Sequence, residues 1–150
     1  MIITDSLEID LEQILNLQKL SYIQEAQIYN DNNIPPLNQT LSEITIDFKS
    51  KLFIKAVEAN TIVGSVRAFE QNHTCYIERL IVHPDYQNKG IGTSLLNEIE
   101  NRFSNANRFE LFTGSKSEKN LYLYRKLGYK DFKEEKLSES VNLKYLEKMN

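Results

Sequence analysis

The feature that most constrains the fold is a change in hydrophobic period near residue 90. Before it, strand-like runs at 52–58, 61–70 and 74–82 follow one another with connections of two or three residues, which predicts antiparallel hairpins. After it, apolar residues recur at helical spacing, at Ile91, Leu95, Leu96, Ile99 and Phe103. A further strand follows at 108–112. Strand, helix and strand in this order form a crossover, so the strands at 74–82 and 108–112 are predicted to run parallel.

The flanking segments supply the remaining predicted elements. They are a strand at 1–4, helices at about 10–29, 40–49 and 115–127, and closing strands at 129–137 and 141–146. Asp10 is the predicted N-cap of the first helix, and Ser115 with Glu118 the predicted capping box of the last. We therefore expect one α/β (α+β) domain over residues 1–150, with a mixed, mostly antiparallel sheet of about seven strands, one parallel pair and flanking helices.

Composition narrows the classes of protein to consider. The chain has 150 residues, 41% of them hydrophobic, which suits one domain with a single core. A net charge of -3 argues against general nucleic-acid binding, and no apolar stretch approaches the roughly 20 residues of a membrane span. Met1–Asp5 lacks the features of a secretion signal, and the single Cys75 excludes an internal disulfide and a multi-cysteine zinc site. We expect a cytoplasmic protein without a metal, nucleic-acid or membrane partner.

The stretch with the most chemical information runs from Val82 to Thr93. A strand ends at Val82, a loop follows, and a glycine-rich turn opens a helix. Amides at a helix start point the same way and carry about half a positive charge, and glycine lets an anion approach the backbone. The second half of the chain, residues 71–150, is also the more basic half. These features favour a pyrophosphate site; the alternative is an ordinary glycine-containing loop before a surface helix.

Three segments together resemble the GNAT N-acetyltransferase family. Gln87-Asn88-Lys89-Gly90-Ile91-Gly92 is similar to that family's Gln/Arg-x-x-Gly-x-Gly/Ala motif. The strand from Ile77 to Pro84 resembles the family's fourth strand and the proline-containing loop after it. Leu123-Tyr124-Arg125-Lys126-Leu127-Gly128-Tyr129 resembles the later Leu-Tyr-x-x-x-Gly-Phe/Tyr signature. The resemblance implies the family's fold, with a parallel pair of strands that splay apart, and acetyl-CoA as the acetyl donor.

The resemblance also implies which residues bind the coenzyme. Its pyrophosphate would be held by the backbone amides of Gln87, Asn88, Lys89, Gly90, Ile91, Gly92 and Thr93. The pantetheine arm would lie in the splayed cleft and pair with the backbone at Leu80 and Val82. An amide near Leu80 or Ile81 would stabilise the oxyanion of the tetrahedral intermediate. Where the family often has an asparagine on the pantetheine, this chain has Ser117, with Asn120 one turn later, and either could serve.

Tyr124 and Glu78 are the candidate catalytic residues. Tyr124 matches the family's tyrosine that protonates the departing thiolate; the alternative is an aromatic packed on its helix. Glu78 is the candidate general base, directly or through water. Strict alternation would place it on one face with Leu80 and Val82, facing the cleft. The alternatives are a salt bridge to Arg67 or a water relay without a single base.

The acceptor is expected against the N-terminal helices. By resemblance, residues 20–40 wall its site, with Tyr22, Glu25, Tyr29, Asp31 and the Pro35-Pro36 turn. The acidic first half of the chain slightly favours a cationic amine. A small amine, an amino acid derivative, a polyamine and a protein amino group all stay open. So does a non-catalytic acyl-CoA-binding module of the same fold. Dimers are frequent in the family, so the resemblance also leaves a homodimer open.

Overall fold

The computed structural model describes residues 1–150 and contains one seven-stranded sheet. Its strands are β1 (Ile2–Asp5), β2 (Leu52–Glu58), β3 (Thr61–Gln71), β4 (Thr74–Val82), β5 (Arg108–Gly114), β6 (Lys130–Lys136) and β7 (Asn142–Met149). Their order across the sheet is β1-β2-β3-β4-β5-β7-β6, and every neighbouring pair is antiparallel except β4 and β5. The predicted mixed sheet with one parallel pair is confirmed.

Helices cover both faces of the sheet. They are α1 (Leu11–Tyr29), α2 (Pro35–Asn38), α3 (Leu41–Ser50), α4 (Ile91–Arg102) and α5 (Glu118–Lys126). The apolar sides of α4 and α5 bury Leu95, Leu96, Ile99 and Leu121 against one face of the sheet. On the other face, α1 and α3 bury Leu11, Ile14 and Ile44 against Phe53, Ile62 and Ile81. Burial of about 1.5–3 kcal/mol for each large apolar side chain makes these two layers the main source of stability.

Neither predicted helix cap makes its side-chain hydrogen bond. Asp10 occupies the predicted N-cap position of α1, but it has helical backbone angles and its carboxylate accepts from the Leu7 amide and from Lys55 instead of from an α1 amide. Ser115 and Glu118 form no capping box, because β5 runs on to Gly114 and the Ser115 amide still donates to the Asn142 carbonyl. The α5 helix therefore begins three residues later than predicted.

A β-bulge in β4 changes which residues share a face. Opposite Ser65 and Arg67 of β3 stand Ile81 and Glu78, so β4 carries one extra residue there. Arg79 absorbs it with a left-handed φ of 51°, a conformation that costs a non-glycine residue about 1–2 kcal/mol. The predicted alternation is consequently wrong, since Glu78 lies opposite Arg67 on the α1–α3 face and not with Leu80 and Val82.

The parallel strands β4 and β5 pair over only a short stretch. Thr74, Cys75 and Tyr76 stand opposite Arg108, Phe109 and Glu110, and no pairing follows although both strands continue. A gap therefore opens between the two strands beyond Ile77 and Leu111. The edge of β4 that faces this gap, from Glu78 to Val82, has no neighbouring strand.

Candidate active site

A tight turn after β4 sets the start of α4. Asn88 and Gly90 both have left-handed backbones, with φ of 63° and 82°. Glycine suits the second position because it adopts this conformation without steric cost. The chain enters α4 immediately afterwards at Ile91.

The amides of this turn have no partner in the protein. None of the backbone N–H groups from Gln87 to Thr93 donates to a backbone or side-chain acceptor; the first amide of the helix ladder is Ser94, which donates to Gly90 at 3.0 Å. The Gly90 N-cap also provides no side-chain acceptor. A run of free N–H groups at the positive end of a twelve-residue helix is an anion-binding arrangement.

A groove of about 460 Å³ leads away from these amides. Its walls are the end of β4, the turn before α4, one side of α5 and part of α1; they include Leu80, Ile81, Val82, Gln87, Asn88, Gly90, Ile91, Gly92, Thr93 and Asn120. Lys119 and Lys126 also line it and add positive charge. A Cβ at position 92 would lie 3.2 Å from the Leu123 side chain. Glycine at this position therefore leaves space at this end of the groove that any larger residue would fill.

A second cavity of about 290 Å³ fills the gap between β4 and β5. Tyr22, Glu25, Leu80 and Asn120 line both this cavity and the groove, so the two spaces meet at these four residues. Beyond the junction the walls are mostly apolar and come from α2, β5 and the segment before β7. The arrangement is a charged groove that opens into a small pocket, which we call the acceptor cavity.

Tyr124 lies in the wall of the acceptor cavity. Its side chain is only 5% exposed and its hydroxyl makes no hydrogen bond within the chain. Burial raises the pKa of Tyr124, and the neighbouring Tyr22 and Glu25 raise it further. The phenol is therefore protonated and free to donate to a group in the cavity.

The two candidates for the pantetheine contact lie in different surroundings. Ser117 is 2% exposed, lines neither space, and its hydroxyl is engaged by Tyr29 at 3.1 Å and by the Glu25 carboxylate. Asn120 lies at the junction, where its amide nitrogen donates to Thr113 at 3.1 Å. Asn120 is thus the better placed of the two, and Ser117 instead links α1 to the start of α5.

Tyr29 stabilises the contact between α1 and the start of α5, and its ring leaves no space for a side chain at Gly114. The Tyr29 hydroxyl accepts from the Lys116 amide at 2.8 Å, and a Cβ at position 114 would overlap its ring.

Gly114→Ala is expected to destabilise the protein by about 1–3 kcal/mol, because the buried Tyr29 must move away from its hydrogen bonds. Urea unfolding measures the change. The matched comparison is the same substitution in a Tyr29→Ala background, where the added methyl group has room and the additional cost should be close to zero. Equal costs in the two backgrounds would contradict the steric role of Gly114.

Two carboxylates line the acceptor cavity. Glu78 forms an ion pair with Lys51 at 2.6 Å, so the predicted alternative of a salt bridge is found, but to Lys51 instead of Arg67. Arg67 forms an ion pair with Asp47 at 3.3 Å and donates a hydrogen bond to the side-chain amide oxygen (Oε1) of Gln18 at 2.6 Å. Glu25 lies at the junction itself. Sequence reasoning had given Glu25 no role beyond the wall, because only the packing of α1 against α5 brings it there.

The side chains of Lys89, His83 and Cys75 lie outside both spaces. Only the backbone of Lys89 belongs to the free amides. The His83 ring accepts from the Asp85 amide at 3.1 Å. Burial raises the pKa of Cys75 to about 12, so its thiol is not a nucleophile. The structure brings no three His, Cys, Asp or Glu side chains together as a metal site, and none of its helices is both long and apolar enough to span a bilayer.

The splayed parallel pair, the free amides and the adjoining groove define the class of fold. The sequence pattern of the acetyltransferase (GNAT) family matches residues 11–129, so the chain belongs to that family of acyltransferases. The resemblance noted from the three sequence segments is thereby confirmed. The chain is also 27% identical over 131 residues to the UPF0157 protein YqkA of Bacillus subtilis; this covers 87% of the chain and only 38% of YqkA.

Solved structures share the fold across nearly the whole chain. The smu.2055 protein of Streptococcus mutans superimposes with a TM-score of 0.84 at 18% identity, and 99% of each chain is covered. An aminoglycoside 6'-N-acetyltransferase complexed with coenzyme A superimposes with a TM-score of 0.79 at 17% identity, covering 99% of this chain and 97% of that one. At these identities the likeness concerns the fold.

Proposed function

We propose that this protein is an acetyl-CoA-dependent N-acetyltransferase that acts on a small primary amine. The observation that carries the proposal is the continuity of three features: seven free amides from Gln87 to Thr93, a groove with two lysines, and a mostly apolar cavity that joins the groove. The amides suit a diphosphate, the groove an extended arm and the cavity a small acceptor. Membership of the acetyltransferase family supports the identity of the transferred group.

Each part of the site has a task in this proposal. Bound acetyl-CoA supplies the thioester that the amine attacks. The unpaired edge of β4 at Leu80 and Val82 hydrogen-bonds the pantetheine arm, and Asn120 contacts it from α5. An amide at Leu80 or Ile81 donates to the developing oxyanion, where a fixed donor is worth about 100-fold or more in rate. Tyr124 gives its proton to the departing sulfur.

Glu78 is the proposed general base, and Glu25 the group that orients the amine. A free alkyl amine has a pKa of about 10.4 and must lose a proton before it attacks. Glu78 lines the cavity, and its partner Lys51 holds the carboxylate in one position. Glu25 lies at the junction of the cavity and the groove, and its carboxylate already accepts a hydrogen bond from the Ser117 hydroxyl. We therefore assign the role of base to Glu78 and the role of orienting the amine to Glu25.

Glu78→Gln is expected to lower kcat/KM by about 100-fold, because the variant can no longer accept the proton of the amine. Lys51→Met is the matched control, because it breaks the same ion pair and leaves the carboxylate. Steady-state kcat/KM of both variants measures the difference. A Glu78→Gln enzyme with the rate of Lys51→Met would exclude Glu78 as the base.

The reaction itself is tested by thiol release. Acetyl-CoA is incubated with a panel of amines of different size and charge, and free coenzyme A and acetylated product are measured. Enzyme-dependent formation of both in equal amounts supports the proposal. Tight binding of acetyl-CoA without acetylation of any amine would favour the alternative, a non-catalytic acyl-CoA-binding module.

A further inference from the structure

Arg79 is the one arginine without a carboxylate partner. Arg67, Arg102, Arg108 and Arg125 each form an ion pair with a carboxylate at 3.3 Å or less. Arg79 forms no ion pair; its side chain is hydrogen-bonded to the neutral Tyr22 hydroxyl, and its Nε is buried without an acceptor. A buried guanidinium nitrogen without an acceptor is costly, so a group with this geometry calls for an anion.

The bulge in β4 directs this unpaired guanidinium to the acceptor cavity. Arg79 is the residue with left-handed φ at the bulge, and its side chain lines the cavity together with Tyr22 and Tyr124. Strain of this kind persists where the surrounding structure enforces it, and it is typical of functional sites. Apolar residues make up most of the same cavity's lining and include Ile34, Leu111, Phe112, Val141 and Leu143.

The neighbouring charges leave Arg79 uncompensated. Burial and the nearby Arg79 together lower the pKa of Arg67 to about 10, which means that the two guanidinium groups repel each other. Asp47 pairs with Arg67, and Lys51 pairs with Glu78, so neither carboxylate is paired with Arg79. An anion bound at Arg79 would relieve the repulsion. Since Glu25 and Glu78 also line the cavity, a single carboxylate fits better than a doubly charged phosphate.

We propose that the acceptor is a free amino acid with an apolar side chain, whose carboxylate binds Arg79. This inference rests on the proposed function and names its substrate class. The apolar wall takes the side chain, and the amine lies toward Glu25 and Tyr124. A cavity of about 290 Å³ suits a molecule of this size. The C–S bond of acetyl-CoA breaks and a C–N bond forms; the amine loses one proton, the sulfur gains one, and the products are an N-acetyl amino acid and coenzyme A.

The test compares amino acids with the amines that lack only the carboxylate. The pairs are L-phenylalanine with 2-phenylethylamine, L-leucine with isoamylamine, and L-methionine with 3-(methylthio)propylamine. Wild type is expected to have kcat/KM about 30-fold or more higher for at least one amino acid than for its paired amine. Arg79→Gln should remove that preference, so that each amino acid and its paired amine have similar kcat/KM. Arg125→Gln is the matched control, because Arg125 pairs with Asp131 outside both spaces.

A binding measurement keeps the inference separate from the proposed function. Thermal shifts are recorded for the same six compounds, with and without coenzyme A, on wild type and both variants. Stabilisation by an amino acid that Arg79→Gln loses and Arg125→Gln keeps supports the inference, even if no acetyl transfer occurs. Equal responses to both members of every pair, or an Arg79→Gln variant that responds as wild type does, overturn it. Acetylation of the simple amines alone would overturn it while the proposed function stands.

Discussion

Gly92→Glu is expected to weaken the binding of coenzyme A by about 100-fold. The substitution puts a carboxylate at the free amides that open α4, where it would itself occupy the positive end of the helix and repel the diphosphate. The new side chain also fills the groove beside Leu123, since even its Cβ would lie 3.2 Å from that residue. Calorimetric titration with coenzyme A measures the loss.

Asn97→Glu is the matched control for this variant. Asn97 is exposed on the same helix, outside the groove, and the change in net charge is identical. Its affinity for coenzyme A should stay within about twofold of wild type, because Asn97 lies outside the groove and water and salt weaken the interactions of an exposed charge. Similar affinities of Gly92→Glu and Asn97→Glu, with both variants folded by thermal melting, would exclude the opening of α4 as the diphosphate site.

Tyr124→Phe is expected to lower kcat by about 100-fold with little change in the affinity for acetyl-CoA. The variant keeps the buried ring and removes only the hydroxyl, which forms no hydrogen bond within the chain. The loss follows from general acid help to the leaving sulfur, which is worth about 100-fold or more. Steady-state thiol release with a saturating amine measures kcat.

Tyr76→Phe is the comparison that isolates this effect. Tyr76 lies in β4 outside both the groove and the acceptor cavity, so removal of its hydroxyl tests for effects that have nothing to do with the chemistry. We expect wild-type kcat for Tyr76→Phe. A Tyr124→Phe enzyme with unchanged kcat would mean that solvent protonates the thiolate and that Tyr124 only packs the cavity wall.

The central part of the sheet, from β2 to β5, was predictable because local sequence signals indicate how these strands pair. Short connections between the runs that became β2, β3 and β4 leave room only for hairpins, and the bounds of β2 and β4 agree with the prediction to the residue. The helical period that starts at Ile91 fixes the crossover between β4 and β5. Hydrophobic period and loop length are properties of neighbouring residues, so one sequence is enough to read them.

The inner walls of the site were not predictable in the same way. A bulge leaves no mark in the alternation of residues 74–82, so Glu78 was expected on the face of Leu80 and Arg79 was given no role. The contact of Ser117 with Tyr29 and Glu25 joins residues 88 and 92 positions apart. Such pairs depend on how α1 crosses the sheet, which no local pattern encodes. Which side chains line the acceptor cavity can therefore be learned only from the folded structure.

Nuclear magnetic resonance of the backbone amides tests the coenzyme site most directly. The chain of 17.5 kDa is small enough for each N–H signal to be assigned and followed during titration with coenzyme A. We expect the largest shifts at the free amides of residues 87–93 and at Leu80–Val82, and adenosine alone should leave the signals of residues 87–93 nearly unchanged. A titration that moves other amides while residues 87–93 stay in place, or one that moves none, would contradict the coenzyme site and the acetyltransferase mechanism built on it.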